Sequence, residues 1–286
     1  TEAKTAEDMK NACLNSCRAY DLIQNYRKPF VALIDGLAMG GAAIFAIPGR
    51  FRVATERTVF AMPETAIGFF NDAGSSFFLP RLKNHFGFYI GMTGMRVKGF
   101  DMKKIGLSTH FIESFKLDQV EEKLSQCRTN EDVEKVLNNF SSDPSNTETE
   151  LDLILPKIEK CFSRSTVEEI IENLDKDGSD WAKQTLKILS RMSPTSLKVT
   201  HRSMNRGKHL SLRECLRMEF RLAFNFIVND CDMKEGIRSV LIDKDFKPKW
   251  NPKVVENVRE ETVEKFFKPT THDHELTFQN NFINKL

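Results

Sequence analysis

Apolar positions recur three and four residues apart at the start of the chain. Met9, Cys13, Ser16, Cys17, Tyr20 and Ile23 fall on one helical face, with Thr5 as the N-cap and Glu7 and Asp8 in the first turn. Lys28-Pro29 ends this helix, because proline pushes the residue before it towards extended backbone. The unbroken apolar run over 30–34 reads as a buried strand. Asp35-Gly36 turns the chain, and Met39-Gly40-Gly41-Ala42 leads into a short helix of small residues that Pro48-Gly49 closes. Residues 51–55 and 58–62 read as two short strands. Pro63 then opens an irregular loop carrying Glu64, Gly68, Asn71, Asp72 and Gly74. Helices are predicted over 75–81, 86–92 and 101–105, and a short strand over 110–112.

From Lys116 onward the period is helical. Residues 117–127 and 131–140 are amphipathic, and a polar loop with Pro144 spans 141–148. Ser165 with Glu168 reads as a capping box opening a helix over 167–174. Ser193-Pro194 supplies an N-cap followed by proline at the first helical position. Residues 212–227 form a long apolar-faced helix, and Trp250-Asn251-Pro252 marks a turn before a last short helix and a polar tail. The whole pattern predicts an α/β fold, with a core over 1–115 and a helical C-terminal region over 116–286 packed on that core.

Charge and composition narrow the function classes. Lys and Arg number 42 against 40 Asp and Glu, a net charge of +2, which argues against a dedicated nucleic-acid binder. Of the aromatics, 23 are Phe against 3 Tyr and 2 Trp, a bias that fills interiors. No apolar run reaches the roughly 20 residues of a membrane span, and the first ten residues carry no apolar segment of a secretory signal. The six cysteines form no CxxC pair and read as reduced, buried thiols of an intracellular protein. The histidines form no HExxH; His272 and His274 lie in the polar tail and read as solvated.

Two features carry candidate chemistry. At Gly40-Gly41 a strand ends in glycines and a helix begins at once, so a ligand can approach the backbone and meet unpaired N–H groups. That is the recipe for an oxyanion hole, and equally for a tight strand-to-helix turn. The second is Pro63-Glu64, with Asp72 eight residues on. A carboxyl among Ala66, Ile67, Phe69 and Phe70 is desolvated, which raises its pKa towards that of a general base; a Glu capping the following turn is the alternative.

The segments KPFVALIDGLAMGG, RFRVATERTVFAMPETAIGFF, FFLPRL and GMTGMRVKGFD resemble the crotonase (enoyl-CoA hydratase/isomerase) superfamily. STVEEIIENL, MSPTSLKVT, MEFRL and EGIRSVLIDKDFKPKW resemble its 3-hydroxyisobutyryl-CoA hydrolase branch, over roughly residues 10–260. The resemblance implies a β/α spiral core that binds an acyl-CoA thioester, with coenzyme A as part of the substrate and no metal or nicotinamide cofactor. It implies that the thioester carbonyl lies against the Gly41 N–H in the Gly40-Gly41 turn, that Glu64 is base or nucleophile, and that Asp72 binds the substrate hydroxyl. Hydratases carry a second glutamate four residues before the TG dipeptide, and Tyr89 stands there. Hydration is therefore disfavoured against thioester hydrolysis in valine breakdown. A mitochondrial location is implied, with a peroxisomal alternative from the S-K-L-like ending Asn284-Lys285-Leu286. No nucleic-acid or membrane partner is implied, and an oligomer stays open.

Four departures from the family pattern are visible. The matching starts inside that pattern: the opening strands and the CAGGD-like turn with the second oxyanion N–H have no counterpart, so the core is expected to be N-terminally incomplete. GGGVGLS is replaced by 40–46, with Ala42, Ile44 and Phe45 bulkier. PDVGGGY is replaced by 71–77, with Ser75 and Ser76 for glycines. Ser16 aligns with a substrate-binding Glu. A non-catalytic acyl-CoA-binding relative is therefore the alternative function. Among weaker signals, Lys98, Lys103 and Lys104 read as CoA-phosphate contacts or as a solvated basic face. Phe69, Phe70, Phe77 and Phe78 read as an acyl pocket or as core, and Met39 and Met62, which flank the proposed site, as core.

Overall fold

The structure, a computed structural model, describes residues 2–142, 148–229, 231–269 and 275–278. Pro144, His272, His274 and the 284–286 tripeptide lie outside the described residues.

The chain opens with α1 (Glu2–Gln24) and continues with β1 (Val31–Ile34) and β2 (Leu37–Met39). A 3-10 turn at Gly40–Ala42 leads directly into the short α2 (Ala43–Ala46). β3 (Phe51–Ala54) and β4 (Val59–Ala61) follow. After a loop come α3 (Ser75–Phe78), α4 (Phe86–Thr93), β5 (Val97–Lys98), α5 (Gly99–Lys104) and β6 (His110–Phe111). The remainder is helical: α6 (Leu117–Leu124), α7 (Asn130–Phe140), α8 (Glu150–Phe162), α9 (Val167–Asp177), α10 (Asp180–Leu189), α11 (Pro194–Gly207), α12 (Leu212–Val228), α13 (Met233–Ile237) and α14 (Glu260–Phe267). No helix among the described residues is long and apolar enough to cross a membrane.

The strands make two small sheets. One has the order β1-β3-β6, all parallel, with Val31 opposite Phe51 and Val53 opposite His110. The other has the order β2-β4-β5, with β2 and β4 parallel and β5 antiparallel to β4. Because β1 and β2 follow one another across Asp35-Gly36, the chain steps from one sheet to the next. The glycine turn after β2 and the Glu64 turn after β4 thereby emerge side by side from paired parallel strands.

The helical region packs on this core. Phe86 and Ile90 of α4, Ile158 and Phe162 of α8, and Leu174 of α9 belong to one apolar cluster. α1 lies against α12, and the Arg213 guanidinium clamps the buried Asp21 carboxylate with Nε–Oδ1 at 2.8 Å and a second contact at 3.0 Å. The Arg81 guanidinium donates to the carbonyls of Gly207 and Leu210, both at 3.0 Å, and so ties the turn after α3 to the end of α11.

Several local expectations are corrected. Helix α1 runs through Thr5, so Thr5 is no N-cap. The capping box of α9 is Thr166 with Glu169, one residue later than Ser165 and Glu168, because Val167 rather than Thr166 is the first residue to turn its side chain inward. β2 and β5 were not expected: three and two residues are too few for an alternation to be read, and pairing with β4 makes them strands. The predicted helix over 75–81 is split at Leu79, where Pro80 lacks the N–H that would continue the ladder. Only Cys17, Cys161 and Cys215 are buried. Cys13, Cys127 and Cys231 are partly exposed, Cys127 because it falls beyond the end of α6.

Candidate active site

Glu64 opens a 3-10 turn (Glu64–Ile67) immediately after β4 and Pro63. Its side chain is 6% exposed. Asn71, fully buried seven residues on, donates from Nδ2 to Glu64 Oε2 at 2.8 Å and to the Met62 carbonyl at 3.2 Å. The other oxygen, Oε1, faces the glycine turn: a Cβ placed on Gly40 would lie 2.6 Å from it. Gly40 has φ +54°, the left-handed region that glycine occupies without a steric penalty. Gly41, the next residue, is exposed, and nothing lies within 4 Å of a Cβ built there. The arrangement puts a buried carboxylate oxygen against Gly40, with the exposed Gly41 next in the chain.

Burial pushes the Glu64 carboxyl well above the usual carboxylate range, and the nearby Asp72 adds to the displacement, while the Asn71 hydrogen bond opposes it. The Asp72 carboxyl is also raised, by desolvation. Asp72 retains part of its surface. It lines a cavity of about 10 Å³ together with Ser16, Cys13, Tyr20 and Glu219, about the room one water or one hydroxyl occupies. Ser16 and Asp72 therefore line the same cavity.

The turn that carries Glu64 is buttressed from the C-terminal segment. A Cβ on Gly68 would lie 2.4 Å from the Asp232 carbonyl oxygen, and one on Gly236 would lie 2.2 Å from the Ile67 backbone. The Asp232 carboxylate accepts from Ser193 Oγ at 2.7 Å and from the Asn251 N–H at 2.9 Å. The Trp250 indole donates to the Arg191 carbonyl at 2.9 Å. The EGIRSVLIDKDFKPKW stretch thus works as a brace behind Glu64.

Other candidates are placed elsewhere. Lys104 pairs with Asp152 and Lys103 donates to the Thr109 carbonyl, while Lys98 is exposed. Phe70 stacks on Phe226 and Phe78 packs edge-on to Phe60, which makes both core. Phe77 lies under the Arg81 guanidinium. Met62 is fully buried. Among the bulkier residues of the glycine helix, Ile44 is buried while Phe45 is 62% exposed. The serines replacing glycines are both bonded inside the fold: Ser75 Oγ donates to the Asn71 carbonyl and Ser76 Oγ to Glu219 Oε1 at 2.6 Å. Tyr89 is turned into the core, its ring edge-on to Phe162 and its hydroxyl accepting from the Trp181 indole at 3.3 Å. Among the described residues no group of three or more His, Cys, Asp or Glu could hold a metal ion.

A glycine turn follows one strand and a buried Glu follows its parallel neighbour, and the family profile described as enoyl-CoA hydratase/isomerase matches residues 2–267. The chain belongs to the enoyl-CoA hydratase/isomerase family. Within it, the chain is 46% identical over 250 residues to the mitochondrial 3-hydroxyisobutyryl-CoA hydrolase of Xenopus tropicalis, covering 86% of this chain and 65% of that protein. It is 44% identical over 267 residues to that of Homo sapiens, covering 92% of this chain and 67% of the relative. The chain thus spans about two thirds of the length of these curated relatives. The crystal structure of an enoyl-CoA hydratase from Rhodobacter sphaeroides superposes with a TM-score of 0.86 at 29% identity, covering 96% of this chain and 78% of that one. A carnitinyl-CoA dehydratase from Mycobacterium thermoresistibile gives 0.86 at 28%, with 98% and 81% covered. The expected α/β crotonase fold is thereby established for the enoyl-CoA hydratase/isomerase core and its helical C-terminal region.

Asn71 and Glu219 were not singled out by the sequence reading. Asn71 gave no periodic signal, since it sits in an irregular loop. Glu219 did leave one: it interrupts the apolar stripe Cys215, Leu216, Phe220 and Ala223 of α12, all buried.

Proposed function

We propose that the chain hydrolyses the thioester of a short branched hydroxyacyl-CoA, 3-hydroxyisobutyryl-CoA, to 3-hydroxyisobutyrate and CoA, in valine breakdown. One observation carries the reading: the buried Glu64 carboxylate, anchored by Asn71 through Oε2, turns Oε1 to the Gly40-Gly41 turn. With its pKa raised by burial, Glu64 takes a proton from water near neutral pH. The hydroxide adds to the thioester carbonyl, and the Gly41 N–H stabilises the developing oxyanion, an effect of a few kcal/mol for a well-placed donor. The C–S bond then breaks and CoA leaves as its thiolate, a good leaving group that needs no strong acid; the proton on Glu64 passes to that thiolate or to solvent, which restores the carboxylate. Asp72, with Ser16 beside it, receives the substrate's 3-hydroxyl in the hydroxyl-sized cavity. These steps call on no metal or nicotinamide cofactor. The names of the relatives support both the substrate and a mitochondrial location.

The test is release of CoA from 3-hydroxyisobutyryl-CoA by the purified chain, followed with a thiol reagent. Wild-type chain is expected to release CoA, and Glu64→Gln to lose at least about 100-fold in rate. Turnover that survives Glu64→Gln removes Glu64 from the chemistry. Binding of the thioester without any release makes the chain an acyl-CoA-binding relative. Addition of water to an enoyl-CoA overturns the hydrolase reading in favour of a hydratase.

A further inference from the structure

We propose that Glu219 is a positioning residue for Asp72: its carboxylate holds the turn over 73–76 in the conformation that presents Asp72 to the cavity. The inference deepens the hydrolase reading and rests on it for its catalytic consequence.

Glu219 lies on α12, 2% exposed, on the wall of the cavity that Asp72 and Ser16 also line. Among the described residues it accepts from the Gly74 N–H through Oε2 at 2.7 Å, and from the Ser76 N–H and Ser76 Oγ through Oε1 at 2.8 and 2.6 Å. All three donors lie in the segment that directly follows Asp72, Gly74 as the N-cap of α3 and Ser76 in its first turn. That turn is costly in itself. Ala73 has φ +58°, a left-handed conformation uncommon for a residue with a Cβ, and Gly74 follows at φ +79°. Strained conformations of this kind persist only when the surroundings over-determine them. The surroundings include the three hydrogen bonds to Glu219, the Ser75 Oγ bond to the Asn71 carbonyl and the Tyr20 ring, which would lie 2.4 Å from a Cβ on Gly74. Glu219 and Tyr20 come from helices packed on each other, α12 and α1, joined by the Arg213–Asp21 clamp. A carboxylate is the side chain that suits this place. It accepts on both oxygens, whereas a glutamine has one accepting oxygen and turns an N–H₂ towards the second set of donors. A displacement of about 1 Å in a group that orients a substrate costs on the order of 100-fold in rate.

The experiment compares wild type, Glu219→Gln and, as a milder variant that leaves the carboxylate in place, Ser76→Ala. Two quantities are read on the full chain. The first is amide hydrogen exchange at Gly74 and Ser76 without substrate, expected to be at least tenfold faster in Glu219→Gln and unchanged in β3. The second is the ratio of kcat/KM for 3-hydroxyisobutyryl-CoA over isobutyryl-CoA, which lacks the hydroxyl that Asp72 receives. This ratio is expected to fall at least tenfold in Glu219→Gln, approaching Asp72→Asn, and to fall less in Ser76→Ala. If Glu219→Gln does not fold, Ser76→Ala decides: an unchanged ratio and unchanged exchange overturn the proposal. Faster exchange with an unchanged ratio in Glu219→Gln also overturns it, leaving Glu219 a residue of the scaffold. If wild type cleaves neither thioester, the hydrolase reading falls, and slow exchange at Gly74 and Ser76 that is lost in Glu219→Gln still supports the hold on the turn, while exchange already fast in wild type refutes it.

Discussion

Glu64 and Gly40 occupy each other's space: the Glu64 Oε1 lies where a side chain on residue 40 would begin, 2.6 Å from the Cβ of any alanine there. The positive φ of Gly40 adds a second reason for glycine, since a Cβ in that region costs on the order of 1–3 kcal/mol. Gly40→Ala is therefore expected to lower the melting temperature by several degrees and to abolish most CoA release. Gly41→Ala meets open space and is expected to fold with a melting temperature close to that of wild type. Thermal melts of the two variants side by side check this; equal losses in both contradict it.

Asn71 sets the ionisation of Glu64 as well as its direction. Its hydrogen bond favours the charged form against the desolvation that opposes it. Removing the donor in Asn71→Ala is expected to raise the Glu64 pKa further. The rising limb of the pH–rate profile then moves to higher pH, and the rate near pH 7 falls while the rate on the alkaline plateau is partly kept. A profile of kcat/KM against pH for wild type and variant gives the answer; a limb that stays in place refutes the role.

Burial of Glu64 also bears on stability. Its folded pKa lies above the unfolded value, so the folded state binds more protons between the two, and stability falls as pH rises through that window. Glu64→Gln removes the penalty of a buried charge. The variant is expected to gain more in melting temperature over wild type at about pH 8 than at about pH 5. Melts at the two pH values test the sign, and a larger gain at the lower pH contradicts it.

Tyr89, which the motif resemblance aligns with a hydratase glutamate, packs on Phe162 and receives the Trp181 indole N–H. Tyr89→Phe is expected to cost about 1 kcal/mol of stability, the value of one hydrogen bond, and to leave CoA release within about twofold. A larger loss of rate at unchanged stability puts Tyr89 back in the site.

The sequence by itself determined most of the helices, the longer strands and which residue types are candidates for chemistry. Helical periods, the apolar strand runs and a Pro-Glu after a strand are local signals, and they single out Gly40, Gly41 and Glu64 as candidates; Asp72 and Ser16 become candidates through the motif resemblance. Helix starts were legible only to within a residue or so, as Thr166 and Glu169 illustrate, because neighbouring polar residues compete for the same cap and inward packing selects among them. The tertiary structure alone decided what lies across from each group. β2 is a strand because β4 lies beside it; Lys104 pairs with Asp152; Ser76 and Gly74 find their acceptor on Glu219, 143 and 145 residues away. Such pairings are set by how helices and sheets pack, a non-local outcome that period and spacing along one chain do not encode.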